Sequence, residues 1–268
     1  MHKKIAIKKM LVLAFALFIT TSSYAWGPIG HRVVAELASR HLTPRAQKAI
    51  SDLIGTETLA MIANWPDFIK SDTTGKYKHT NNWHYVDFPG HISCEEVHKM
   101  IADGKASGEA YNQIVALSKT LKDPKASKED KVFALTFLVH IIGDVHQPLH
   151  VGRDEDQGGN KIAVQWFNTP SNLHRVWDEQ LIDYQQLSYT EYTNWLDRAP
   201  AQKIKEIQKG TVIDWLCESH VLADKVYAST KDGDKLSYRY NFLFVNDLNS
   251  QLQKGGYRLA QVLNDIFK

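Results

Sequence analysis

Beyond its first 25 residues the chain has no apolar run approaching the ~20 residues that a membrane-spanning helix needs. It also lacks an Asn-x-Ser/Thr sequon, an internal repeat, a low-complexity tract and any composition shift that would mark a linker. Those absences exclude a repeat array or a membrane bundle and favour one domain. The missing sequon points toward a bacterial periplasm or medium. Charge of either sign is scarce as an excess, since 32 Lys and Arg stand against 30 Asp and Glu. A global basic field for nucleic acid is therefore excluded, and any polyanion has to be attracted locally. Cysteine is nearly absent. Cys94 and Cys217 are the only two, and in an exported chain they most simply form one disulfide tying the early and late halves together. Two unpaired buried thiols are the alternative.

What is present begins with an address. Lys3, Lys4, Lys8 and Lys9 precede an apolar core from Met10 to Ile19, and Ser23-Tyr24-Ala25 is a small-x-small cleavage site. Residues 1–25 are thus expected to be a signal peptide cut between Ala25 and Trp26, leaving residues 26–268 as one exported domain without a membrane anchor. The four lysines leave with it, so the mature chain carries 28 basic against 30 acidic side chains, a net of −2.

Helical patterns dominate the rest, and the expected class is mainly α. Helices are read over Gly30–His41, from Thr43-Pro44 onward, and over Thr56–Ala63, Cys94–Ala102, Gly108–Leu121 and Lys128–Gln147. Thr190–Leu196, Gln202–Thr230 with a break, and Asp247–Phe267 complete the set. Gly255-Gly256 reads as an interruption of the last. Strand signal is confined to Ile162–Trp166, alternating after Gly158-Gly159-Asn160, which suggests a small hairpin.

The chemistry concentrates in His140-Ile-Ile-Gly-Asp-Val-His-Gln-Pro-Leu-His150. It continues an apolar run, Val132 to Val139, that reads as a buried helix. His140 and Asp144 are spaced i, i+4 and so share one face of that helix. Pro148 ends it and frees His150 to reach a different point in space. His146, at i+6, faces away from the pair. His174 and Asp178 repeat the spacing, Trp65-Pro66-Asp67 supplies a carboxylate at a helix start, and Trp83 to Asp87 supplies His84 and Asp87. His31 lies five residues into the mature chain. Imidazole and carboxylate are the groups zinc takes when thiolates are absent. A lone His-x-x-x-Asp pair is more often a hydrogen-bonded histidine, and His2, His41, His79, His91, His98, His146 and His220 lack a comparable pattern.

Taken together, these segments resemble the S1/P1-type nuclease family. The resemblance runs in order through Trp26-Gly27-Pro28-Ile29-Gly30-His31, Trp65-Pro66-Asp67, His84-Tyr85-Val86-Asp87 and His140–His150. It continues through Gly158–Ile162, Asn172-Leu173-His174 with Trp177-Asp178, and Lys254–Ala260. It implies a single compact helical domain of the phospholipase C/P1 nuclease type holding three Zn²⁺. Asp67, His84, His140 and Asp144 would hold the first. Asp144 would bridge to the second, completed by His31 and by the amine and carbonyl of Trp26. His150, His174 and Asp178 would hold the third. The amine exists only after signal cleavage, so export and activation would coincide. Three divalent ions outweigh three aspartates, which would keep the pocket positive in a chain of net −2.

The same resemblance implies cleavage of single-stranded DNA and RNA to 5′-phosphate products, 3′-nucleotidase activity, and a monomer without a protein partner. Asp87 would orient the nucleophile, or else hold a zinc-binding histidine. Lys70 stands where an arginine is usual and offers the phosphate a point charge rather than a fork; a solvated surface lysine is the alternative. Tyr85 stands where phenylalanine is common and would stack an unpaired base; plain packing is its alternative. Two rivals remain. Zinc-dependent phospholipases C resemble this pattern but use Glu in the third-zinc helix pair and a longer gap between the N-terminal Trp and its first His. This chain has Asp178 and only four residues between Trp26 and His31. A non-catalytic periplasmic zinc-binding protein would need neither Asp87 nor an open pocket.

Overall fold

The computed structural model describes residues 26–268; the signal peptide expected at 1–25 lies outside the described residues. Among those described, no helix is long and apolar enough to cross a membrane. The architecture is mainly helical. It comprises α1 (Pro28–Arg40), α2 (Pro44–Ile54), α3 (Cys94–Ala102), α4 (Ala110–Lys122), α5 (Lys128–Asp144), α6 (Tyr189–Leu196), α7 (Ala201–Ile207), α8 (Val212–Ser229) and α9 (Tyr238–Ile266), with short turns between.

Helix α5 is the axis of the molecule. Ser127 caps its N-terminus by accepting from Asp130 N, and every residue from Ala134 to Asp144 is buried. A helical stretch enclosed on all sides can present Thr136, His140 and Asp144 only to groups of the interior. It ends at Asp144, three residues earlier than the pattern suggested. Gln147 precedes Pro148 and is held extended (φ −84°, ψ 119°), the conformation that a following proline imposes. The chain then tightens into a short 3₁₀ turn, Pro148–Val151.

Helix α9 corrects the reading of Gly255-Gly256. It runs unbroken through both glycines and begins at Tyr238, nine residues before the expected start. The glycines serve close approach to α1 instead. A Cβ on Gly256 would lie 2.6 Å from Leu37 Cγ, and one on Gly255 would lie 3.2 Å from Val34. Gly256→Ala should therefore destabilise the fold although alanine favours a helix by ~1 kcal/mol. Leu37 is wholly buried and meets the added Cβ with three atoms at 2.6–2.7 Å, so overpacking of about 2–3 kcal/mol outweighs that gain and leaves a net loss of about 1–2 kcal/mol. Thermal denaturation is expected to show a midpoint lower by roughly 3–8 °C. An unchanged or raised midpoint would show that Leu37 yields.

The region expected as a broken Gln202–Thr230 helix is α7 and α8, separated around Gly210 (φ +85°). Thr56–Ala63 shrinks to Leu59–Ile62, capped by Thr58. The hairpin consists of β1 (Ala163–Trp166) and β2 (Thr169–Asn172), paired antiparallel with Ala163 opposite Asn172. Phe167 and Asn168 both have positive φ, as a two-residue hairpin turn requires. A third strand, β3 (Lys235–Leu236), adds parallel to β1; at two residues it carries no periodicity to read. Cys94 at the start of α3 and Cys217 in α8 form a disulfide, Cα–Cα 5.4 Å, joining the early and late halves.

Candidate metal centre

The histidines and aspartates converge on three buried clusters: His31 with His140 and Asp144, Asp67 with His84 and His140, and His150 with His174 and Asp178. Each comes from a different local device. His31 sits one turn into α1 and stacks on His140, with ring centroids 3.9 Å apart. Gly143 permits that approach, since a Cβ there would come within 2.9 Å of His31 Nδ1. Asp67 belongs to the helical turn Trp65–Phe68. His84 lies on a loop pinned to the post-helix turn, where Val86 N donates to His150 O at 2.9 Å. His174 occupies a short turn capped by Asn172. That turn widens into a π-helical one over Val176–Gln180, a distortion common at functional sites.

Asp144 is shared. Its Oδ2 lies 3.2 Å from both His84 Nδ1 and His140 Nε2, while its Oδ1 lies 3.2 Å from His31 Nε2. Asp67 faces the same three histidines less closely, with Oδ1 3.6 Å from His140 and 3.8 Å from His84, and Oδ2 3.9 Å from His31. In the remaining cluster His174 Nε2 is 3.1 Å from both Asp178 Oδ2 and His150 Nε2.

The far nitrogens of three imidazoles are already committed. His140 Nδ1 donates to Ala63 O, His150 Nδ1 to His84 O and His174 Nδ1 to Gly158 O, at 2.6–2.7 Å. This fixes the tautomer so that each Nε2 presents a lone pair to its cluster. Meanwhile His31 Nε2, Asp67 Oδ1 and Asp144 Oδ1 are buried without an aligned hydrogen bond. Inward-facing lone pairs on enclosed nitrogen and oxygen atoms fit a divalent cation of the zinc type.

Electrostatics agree with that donor set. Burial, aided by the Lys70 charge, pushes His84 down to about 3, so it is neutral. Burial works to raise Asp67, but His140, Lys70 and the other histidines outweigh it and hold the carboxyl at about 2. Asp144 is held well below the usual range; burial opposes, and the charge and hydrogen bonds of its three histidines prevail. His140 and His150 are the exceptions. Burial lowers both, yet Asp144 and Asp67 raise His140 above its ordinary value, and Asp178 and Asp144 raise His150 to about 9, so metal uptake at these imidazoles must displace a proton.

An open cavity of about 510 Å³ lies against the clusters, lined by Lys70, His84, Tyr85, Asp87, His150 and His174. Lys70 is no free surface lysine, because its Nζ pairs with Asp67 Oδ1 at 2.8 Å and is mostly covered. Asp87 is buried, its Oδ1 accepts the Gly152 N–H at 3.1 Å, and burial pushes its carboxyl up to about 7. Tyr85 is half-buried, backed by Gly108. Trp26 is fully buried; its indole N–H donates to Gly143 O at 2.7 Å, and Gly27 N donates to Asp178 O at 2.6 Å. The N-terminal end of the described chain is thus pinned between Gly143 and Asp178.

The cavity wall also holds Asn81, Asp154, Gln157, Asn160 and Lys161, to which the sequence assigned no role. Asn160 and Lys161 follow Gly158 and Gly159, both with positive φ, and that paired-glycine turn was their only signal. His146, set aside by its spacing, is a buried packing group bonded to Ile142 O and Arg258.

A mainly helical domain with three buried imidazole–carboxylate clusters beside an open cavity has the build of a multimetal hydrolase. A model of the S1/P1 Nuclease family matches residues 26–268. The chain is 30% identical to nuclease P1 of Penicillium citrinum over 273 residues, covering 90% of this chain and 97% of the relative. It is 30% identical to endonuclease 4 of Arabidopsis thaliana over 276 residues, covering 93% and 91%. With endonuclease 2 of Arabidopsis thaliana the identity is 26%, over 99% of each chain. The chain belongs to the S1/P1 nuclease family and is a nuclease, a hydrolase acting on phosphodiester bonds. The non-catalytic reading is thereby set aside.

Proposed function

We propose that this chain is an exported, monomeric three-zinc endonuclease that cleaves single-stranded DNA and RNA to 5′-phosphate products and also removes phosphate from 3′-nucleotides. The observation that carries the reading is Asp144, whose Oδ2 faces His84 and His140 and whose Oδ1 faces His31, behind an open cavity lined by His84, His150 and His174. Asp67, His84, His140 and Asp144 would hold one zinc, Asp144, His31 and the Trp26 amine and carbonyl a second, and His150, His174 and Asp178 the third. Bound there, zinc would supply Lewis acidity, an activated water and positive charge for the departing oxygen.

The chain's own residues do the rest. Asp87, a buried carboxyl held near neutrality, is suited to accept a hydrogen bond from the attacking water and orient it. Lys70, fixed by Asp67, keeps a positive charge at the cavity wall for the phosphate. Trp26 and Gly27 are anchored to Gly143 and Asp178, which supports an N-terminal ligand generated by cleavage before Trp26. Tyr85 offers a ring face at the cavity wall that paired bases cannot reach without unstacking.

The decisive experiment is an assay of zinc-loaded protein beginning at Trp26 on denatured DNA, RNA, duplex DNA, 3′-nucleotides and short-chain phosphatidylcholine. Fast cleavage of the single strands with 5′-phosphate ends, slow cleavage of duplex and no lipid hydrolysis are expected. Equal rates on duplex, or 3′-phosphate ends, would overturn the proposal. Stacking is worth ~1–3 kcal/mol per base, so Tyr85→Ala should raise KM for a short oligonucleotide about 5- to 150-fold, with Tyr85→Phe close to the parent. Loss of kcat without any change in KM would instead identify Tyr85 as packing.

A further inference from the structure

Gln147 has no free choice of neighbours. It is fully buried in the turn that follows α5, and its side-chain amide faces two partners from different parts of the chain. The carbonyl end accepts the Leu149 N–H at 2.5 Å, and the amino end donates to Asp178 Oδ1 at 2.5 Å. The first contact shapes the turn Pro148–Val151 that presents His150. Pro148 has no N–H, so Leu149 supplies the first donor of that turn, and Gln147 takes it. The second contact orients the Asp178 carboxylate, whose Oδ1 lies 3.5 Å from His150 and whose Oδ2 lies 3.1 Å from His174.

Only a primary amide of this length meets both demands. A carboxylate could accept from Leu149 but would repel Asp178. An apolar side chain of the same size would leave the Leu149 N–H and one oxygen of Asp178 without their bonds. Asparagine falls one methylene short. The turn itself is braced from outside, where Ser219 donates to Val145 O, Gln251 to His146 O and His220 to Val151 O. Those bonds set the backbone path and reach none of the three donor side chains. Gln147 is the group that links the path of the turn to the carboxylate.

We propose that Gln147 is the positioning residue of the His150–His174–Asp178 centre, setting the affinity of that centre for zinc while leaving the Asp144-bridged pair untouched. It rests on the three-zinc reading above. Outer partners of metal ligands are typically worth about 10- to 100-fold in metal affinity or activity. Gln147→Met, which removes both bonds, and Gln147→Glu, which keeps the Leu149 bond and turns the other into repulsion, should each weaken one zinc by that factor.

The test is a zinc titration of the full mature chain against a chromophoric chelator, with zinc per chain measured by elemental analysis. Wild type is expected to hold three zinc ions. Both variants should hold two at wild-type affinity and the third more weakly, with nuclease turnover depressed at limiting zinc and recovered at excess. A role confined to folding would not give that recovery. Three zinc ions at wild-type affinity in both variants would overturn the proposal, as would uniform weakening of all three. Should Gln147→Met fail to fold, Gln147→Glu decides; failure of both, with zinc-stripped wild type folded, would also overturn it. If wild type itself holds fewer than three zinc ions, the three-zinc reading fails instead, and the two failures are distinct.

Discussion

Asp144→Ala is expected to reduce nuclease turnover by about 10³-fold or more and to remove more than one equivalent of zinc. Asp144 is completely buried at the end of α5, and its two oxygens face three histidines. Losing it strips one donor from each of two centres. A loss of 10³ in rate corresponds to ~4 kcal/mol of transition-state stabilisation, modest for two disrupted metal centres. His31→Ala removes a donor from only one of the two and should leave the other zinc in place. Elemental analysis of the two variants, beside rates on denatured DNA, separates the cases. If Asp144→Ala keeps near-normal turnover, or loses no more zinc than His31→Ala, the bridge is wrong.

The parts of this site that were legible in the sequence are the local ones. His140, Asp144, His174 and Asp178 announce themselves by i, i+4 spacing, because helical geometry alone puts each pair on one face. Pro148 likewise marks that the helix must stop by Gln147, though it ends already at Asp144, and that His150 leaves its axis. That Asp67, His84 and His31 join them is a long-range fact. It depends on Gly143 admitting the His31 ring and on Ala63 O holding His140, and no periodicity encodes either. Family resemblance bridged that gap where residue patterns could not.

The misreadings have physical causes. Paired glycines usually punctuate a helix, but Gly255 and Gly256 lie where α9 presses on Val34 and Leu37, and tertiary packing decides the matter. The first two turns of α9 were missed because Tyr238 and Phe242 are 70% and 79% exposed, which blurs the apolar stripe that marks a helix. Gln147 carried no signal. Its importance comes from a contact with Asp178, distant in sequence, and an amide before a proline looks like any other turn residue.

Zinc should also govern the stability of the fold, and chelation is expected to lower the thermal midpoint by roughly 15–30 °C. The clusters leave His31, His84 and Asp144 with buried polar atoms that make no aligned hydrogen bond. An unmatched buried polar group costs about 1–3 kcal/mol, so the stripped protein holds these groups together against their own desolvation. Occupancy reverses the sign. A ligand at 100 times its Kd adds ~2.7 kcal/mol, and three such ions add ~8 kcal/mol. For a chain of this size each kcal/mol moves the midpoint by about 2–4 °C. The disulfide between Cys94 and Cys217 joins α3 to α8, away from the donors, so it should keep the stripped chain folded at room temperature. Calorimetry with zinc, with chelator, and with zinc restored after chelation measures the effect. A shift below about 5 °C would mean that the protein scaffold, rather than the ions, holds the donors in place.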